Sequence, residues 1–252
     1  MNQNAFSIVI LNGRPAAGKS EILDYLKTVP LPERRRRFHI GEFCEIDDFP
    51  ILWERFEDDD LMEEMGLPRL ISDKEFVYQG QRYPGYVFKG KWFWNFLIHK
   101  INLSYARLLR DQPDLHARKT VMIEFSRGSE HGGFKTAYQH LSPQILRQAV
   151  TLYIRVDWPE SLRKNRRRYN PDKPDSILQH AMEDKKMEMI YQDSDWEEFS
   201  AADPCRLRVG DFTIPYAIFE NMPEKTDRPE KIGPYLEEVL GRLWEIKTGV
   251  KA

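Results

Sequence analysis

The sequence predicts a three-layer α/β fold with a mainly parallel, five-stranded sheet, and three observations predict it. Short apolar runs of high β-propensity recur along the chain. Helical stretches with apolar residues three and four positions apart separate them. The first run leads directly into a glycine-bearing string and then a helix.

The elements follow in order. Phe6 to Leu11 is a continuous apolar run, as expected of a strand covered on both faces. Glu21 to Lys27 follows as a helix, with Ile22, Leu23 and Leu26 on one side. The basic run Glu33 to Arg37 reads as a solvated turn before a second strand, Phe38 to Ile46. Thr120 to Phe125 is the third strand and Val150 to Val156 the fourth. Arg206 to Val209 and Tyr216 to Phe219 are short late candidates. A last helix has Pro234 suited to its first position, an apolar stripe of Ile232, Leu236, Val239, Leu240, Leu243 and Trp244, and Gly249 to end it.

The interval between the second and third strands is too long for one crossover helix. It reads as an insert of about residues 50–118 on a single domain spanning 1–252. Trp53 to Met65 and Lys91 to Arg110 are its helices, with an irregular stretch from Gly66 to Gly90 between them. Its many aromatic residues, including Phe76, Tyr83, Tyr86, Phe88, Phe93 and Trp94, form mostly a small core of their own. One or two of them face a ligand.

Composition excludes several classes. The chain has 252 residues, of which 41% are apolar and 31% charged, which is enough apolar content for a packed core. Lys and Arg number 38 against 40 Asp and Glu, a net charge of −2, so a protein built to coat nucleic acid is not expected. Two cysteines, Cys44 and Cys205, supply neither a disulfide framework nor a four-thiolate zinc site. No apolar run reaches the roughly 20 residues that span a bilayer, and no charged leader precedes the first one. A cytoplasmic setting is expected.

The chemistry concentrates in Gly13-Arg14-Pro15-Ala16-Ala17-Gly18-Lys19-Ser20, which fits G-x-x-x-x-G-K-[ST] between a strand and a helix. Backbone amides of such a loop converge on phosphate oxygens, and the helix N-terminus adds a positive dipole end. Lys19 is placed to reach the β- and γ-phosphates and the Ser20 hydroxyl to ligate Mg²⁺.

With these residues the chain resembles the P-loop NTPases, and within them the small-molecule kinases of the nucleotide and nucleoside kinase type. The resemblance implies a carboxylate after the second strand that takes the acceptor's proton. Asp47 and Asp48 of Glu45-Ile46-Asp47-Asp48-Phe49-Pro50 match it and are similar to the "DDF" of uridine-kinase-like enzymes, with Asp48 slightly favoured. The same pair also reads as a helix N-cap and first-turn acid. The third strand ends in Glu124-Phe125-Ser126-Arg127, where Glu124 and Arg127 loosely resemble the Glu-Arg-Ser of deoxynucleoside kinases. Glu124 is then a Mg²⁺ or acceptor ligand, or else half of a buried ion pair with an arginine. After the fourth strand, Asp157 to Arg168 resembles the start of an arginine lid, about residues 161–202. Arg163, Arg166 and Arg167 share one helical face there and clamp the transferring phosphoryl, or are simply solvated. Asp175 to Gln192 is the returning helix, with Leu178, Met182 and Met189 as packing. The loop Gly128 to Gly133 is placed to line an acceptor pocket, with His131 solvated and without a role. Phe212 to Asn221 resembles the fifth strand and the loop near the adenine.

The expectation is therefore a Mg-ATP-dependent phosphotransferase acting on a nucleoside- or nucleotide-like acceptor. Lys19, Asp47, Asp48, Arg163 and Arg167 are the catalytic candidates. Glu124, Arg127 and Arg166 are candidates for the acceptor, and Ser20 and Glu124 for the metal. A kinase or NTPase acting on polynucleotide ends and a non-catalytic nucleotide sensor are the alternatives. No membrane partner is expected, nucleic acid is disfavoured, and a homodimer is left open. The guanine-binding Asn-Lys-x-Asp, the protein-kinase set and H-E-x-x-H are all absent from the sequence.

Overall fold

The computed structural model describes residues 4–168 and 182–249. Its elements are β1 (Ile8–Gly13), α1 (Lys19–Thr28), α2 (Leu31–Phe38), β2 (Glu42–Asp47), α3 (Asp48–Glu64), β3 (Ser72–Tyr78), β4 (Gln81–Phe88), α4 (Trp92–Asp111), α5 (Leu115–Arg118) and β5 (Lys119–Phe125). They continue as α6 (Gly133–Gln139), α7 (Pro143–Leu146), β6 (Ala149–Arg155), α8 (Trp158–Arg168), α9 (Asp184–Tyr191), α10 (Trp196–Ser200), β7 (Arg206–Val209), β8 (Phe212–Glu220) and α11 (Pro229–Thr248).

The main sheet has six strands in the order β2-β5-β1-β6-β8-β7. All neighbours run parallel except β7, which pairs antiparallel with β8 at the edge. β1 is fully buried and serves both sides: Ile8 and Ile10 join one core, Val9 and Leu11 the other. The first core packs α4, α6 and α10 on one face, through Ile98, Ile101, Tyr138 and Trp196. The second packs α1, α2 and α11 on the opposite face, through Ile22, Leu26, Phe38, Leu236 and Leu240. The fold is therefore α/β with helices on both faces of a mostly parallel sheet.

The strand count corrects the expectation of five. Arg206–Val209 forms a sixth because Leu207 and Val209 alternate inward, and the turn at Gly210 folds the strand back onto β8. The basic run before the second strand is also corrected: it is helix α2, not a solvated turn. Arg34 is buried there and donates to the carbonyls of Leu26, at 2.8 Å, and Gly41, at 3.1 Å. One guanidinium thus closes the open C-terminal end of α1. The last helix starts five residues before Pro234, at Pro229, which takes the first-turn place assigned to Pro234.

The insert is not irregular between its helices. β3 and β4 form a separate antiparallel hairpin, closed by Gln79 and Gly80, both with positive φ. That two-residue loop matches strand twist. Asp59 of α3 holds the hairpin's entry by accepting the N–H groups of Leu70, Ile71 and Ser72 and the Ser72 hydroxyl. Phe56, Phe88, Phe93, Trp94 and Leu97 make a third core, which Met187, Ile190 and Tyr191 of α9 complete, with Met182 and Met189 packed against it. The expected packing role of Met182 and Met189 thus holds. Leu178 and the first part of the expected returning helix lie outside the described residues. Among the described residues no helix is long and apolar enough to cross a membrane.

Candidate functional site

The carboxyl ends of β1, β2 and β5 meet at one edge of the sheet, where ligands of open α/β sheets bind. A cleft of about 440 Å³ opens there, lined among others by Pro15, Lys19, Ser20, Asp47, Asp48, Glu124 and Trp94.

Residues 13–20 link β1 to α1 and are held from outside the cleft by their carbonyls. The Ser161 hydroxyl donates to the Pro15 carbonyl at 2.7 Å, and the Asn221 amide to the Ala17 carbonyl at 2.8 Å. The Arg14 carbonyl accepts from the Ala17 N–H at 3.2 Å and from Lys19 Nζ at 3.3 Å. The amides of Ala16, Gly18, Lys19 and Ser20, by contrast, donate no hydrogen bond among the described residues. The Arg14 side chain leaves the loop and donates to the carbonyls of Tyr191 and Gln192 at the end of α9. Gly18 has φ +114°, and a Cβ there would lie 2.7–2.9 Å from Thr226 and Asn221, so only glycine fits.

Lys19 is buried. Its Nζ donates to Ser126 Oγ at 2.8 Å and lies 3.7 Å from Glu124 Oε1. Burial pushes its ammonium down, against the pull of Glu124. Asp47 and Glu124 are register partners on adjacent strands, which sets their carboxylates side by side. Burial raises Glu124, opposed by Lys19 and Arg168. Burial, then Glu124 and Asp48, push Asp47 up to about 8. Each of these two desolvated carboxylates resists ionisation of the other, and the lysine beside them works against that.

Asp47 caps α3 by accepting the Phe49 N–H at 2.9 Å on Oδ1. The N-cap reading of this pair is therefore observed, while among the described residues Oδ2 accepts no hydrogen bond. Asp48 is buried and committed to Arg127, at 2.6 Å. Burial raises its carboxyl and Arg127 works against that. Arg127 is itself buried and donates also to the carbonyls of Ser126 and Trp94. The alternative reading of Glu124, an ion pair with an arginine, is not what the structure shows: Glu124 pairs with Lys19, and the arginine goes to Asp48.

The expected arginine face is not brought to the cleft. Arg163 and Arg167 are about half exposed and both bind Glu224, which Lys164 also holds at 2.9 Å. Arg166 pairs with Asp184. Arg168 lines the cleft instead, 3.8 Å from Glu21. Spacing alone put three arginines on one face of α8, but the loop after β8 supplies Glu224 to that face. His131 is corrected too. It is buried and stacks on Trp94 with centroids 3.8 Å apart. Burial, then Arg127, Lys91 and Lys186, push it down to about 3. It stands behind the cleft wall, and Trp94 is the insert aromatic that reaches the cleft.

Sequence reasoning missed Ser126, Arg168, Ser161 and Asn221. The first two adjoin residues it named. Ser161 and Asn221 carry no local signal, because their role exists only through contacts 146 and 204 positions away.

Among the described residues no group of three or more His, Cys, Asp or Glu is arranged to hold a metal ion. Asp47, Glu124 and the Ser20 hydroxyl are hard oxygen donors that fit Mg²⁺ sharing its shell with phosphate and water, its usual mode.

No family model and no curated protein matches the chain. A solved structure described as "Crystal structure of APE1195" aligns over 94% of this chain and 96% of that chain, at 13% identity and a TM-score of 0.40. A likeness at that level carries no argument.

Proposed function

We propose that the protein transfers the terminal phosphoryl group of Mg-ATP to a hydroxyl of a small molecule, as a P-loop kinase. The observation that carries this reading is the polarity of residues 13–20. The carbonyls of Arg14, Pro15 and Ala17 are occupied by the protein, while the amides of Ala16, Gly18, Lys19 and Ser20 have no acceptor among the described residues. A row of unspent amides at the N-terminus of an amphipathic helix is a seat for a polyanion.

The side chains around that seat take roles by position. Lys19 meets the β- and γ-phosphates from beneath. Ser20 and Glu124 would hold Mg²⁺ beside Asp47, and its charge would offset that of the phosphates. Asp47, whose ionisation the charge of Mg²⁺ would favour, accepts the proton as the acceptor oxygen bonds to the γ-phosphorus and the bond to the ADP oxygen breaks. It is preferred over Asp48, whose carboxylate is already spent on Arg127. Arg168 replaces Arg163 and Arg167 as the cation facing the moving phosphoryl. A polynucleotide path is disfavoured, because Arg163, Arg166 and Arg167 are paired with acids.

Thermal denaturation with and without Mg-ATP tests the reading. At 100-fold over Kd the gain is about 2.7 kcal/mol, or roughly 5–10 °C for a chain of this size. Lys19→Ala is expected to erase the shift. No shift at millimolar nucleotide overturns the proposal.

A further inference from the structure

We infer that the acceptor is an uncharged alcohol on an apolar or ring-bearing frame, and that phosphorylated acceptors are excluded. This inference rests on the phosphotransfer reading and narrows it.

The cleft is divided in its chemistry. Its lining cations among the described residues are Lys19 and Arg168. Both sit by residues 13–20: Lys19 within the loop, and Arg168 beside Glu21 of α1. An ATP triphosphate uses both. Away from the loop, the lining is Phe49, Leu52, Trp94, Phe125, Met182 and Tyr191. Phe49, Leu52 and Met182 are only half-buried, so apolar surface is left for a ligand to cover.

Beneath this half, among the described residues, lies Arg127, whose charge is paired with Asp48 and three of whose five N–H groups are taken. It is buried, with Nη1 on Asp48 and the Ser126 carbonyl and Nη2 on the Trp94 carbonyl. Lys186 lies behind the wall, its Nζ 5.7 Å from the centroid of Phe56, and does not line the cleft. Among the described residues, five carboxylates line the cleft against Lys19 and Arg168. A phosphate monoester placed in the acceptor half would bring up to two further negative charges beside Asp47, Asp48 and Glu124. No unspent donor cation among the described lining residues would receive it, and a buried charge without a partner is strongly disfavoured. A neutral alcohol meets no such penalty. Its frame covers Phe49, Leu52 and Met182 while its hydroxyl reaches Asp47.

The test is a paired panel assayed for ADP formation by the full chain with Mg-ATP. Ribonucleosides, deoxyribonucleosides and hexoses are each set beside their own monophosphates, and Lys19→Ala supplies the background. The expected result is Lys19-dependent turnover in which at least one alcohol exceeds its own monophosphate by more than about tenfold in kcat/KM. Leu52→Arg, which puts a cation in the apolar half, is expected to move that ratio at least about tenfold toward the monophosphate. Lys19-dependent turnover that prefers monophosphates in the unaltered chain overturns the inference and leaves phosphotransfer standing. Mg-ATP binding without turnover of any neutral alcohol overturns it as well. Absence of Mg-ATP binding removes the phosphotransfer reading, and the inference falls with it.

Discussion

Asp47 carries two duties that its neighbours make compatible. One carboxylate oxygen caps α3 through the Phe49 N–H, and the residue stands in register with Glu124 on the adjacent strand. In the folded chain its carboxyl keeps a proton up to about 8, whereas its ordinary value is 3.8. Folding therefore takes up a proton between those limits. The stabilisation is fully present below the lower value and is lost as pH rises through the upper one. Asp47→Asn keeps a good cap but removes the titration. Denaturant titrations are expected to show a flatter stability profile from pH 4 to 8 for this variant, with higher stability than the unaltered chain above pH 8. Acceptor-dependent turnover is expected to fall by at least about 100-fold, the scale of a lost general base. Arg168 gives a second contrast. Arg168→Ala is expected to lower kcat by about tenfold or more, while Arg163→Ala and Arg167→Ala change it less than about twofold, because those two side chains answer to Glu224.

At the scale of elements, the join between α1 and α2 shows how one side chain fixes two helices. Arg34 spans from the Leu26 carbonyl to the Gly41 carbonyl, tying the end of α1 to the entry of β2. Arg34→Ala removes its bond to the Gly41 carbonyl and leaves the Leu26 carbonyl only the Val29 N–H at 3.3 Å, and is expected to cost about 2–3 kcal/mol by chemical denaturation. Arg36→Ala, on the exposed side of the same helix, is expected to stay within about 0.5 kcal/mol. Composition hides this difference, since four arginines in a row look alike until the helix turns one inward. The hairpin β3–β4 was hidden for a related reason. Its turn is Gln79-Gly80, not the usual Asn-Gly or Asp-Gly. Its stabilising carboxylate, Asp59, lies in the preceding helix, 13 positions before Ser72. The helices α1 and α4 and the strands β1, β5 and β6 were legible because their apolar periodicity is continuous over their own lengths.

At the scale of the molecule, the cleft depends on chain segments that meet only after folding. The loop after β1 is gripped by α8 through Ser161, by the end of β8 through Asn221, and by α9 through Arg14. Asn221 also accepts the N–H groups of Lys225 and Thr226, so it ties the loop that bears Glu224 to the loop that faces the cleft. Asn221→Ala removes a buried amide on which four groups rely. The expected cost is about 2–3 kcal/mol, with faster amide exchange in residues 14–20 and weaker Mg-ATP binding, read by hydrogen exchange and calorimetry. Unchanged exchange in residues 14–20 would show that the loop holds its shape without this anchor.

Taken by itself, the sequence determined the α/β class, the strand that carries residues 13–20, the insert's existence and the acids at the ends of β2 and β5. All of these are written in local periodicity and spacing, which short stretches of chain enforce. Only the tertiary structure decided that Arg168, and not its neighbours, lines the cleft, that Asp48 is spent on Arg127, and that three loop carbonyls are tied down while four loop amides find no acceptor among the described residues. Those outcomes depend on which distant partners the fold brings within reach of a side chain, and a linear pattern does not encode that.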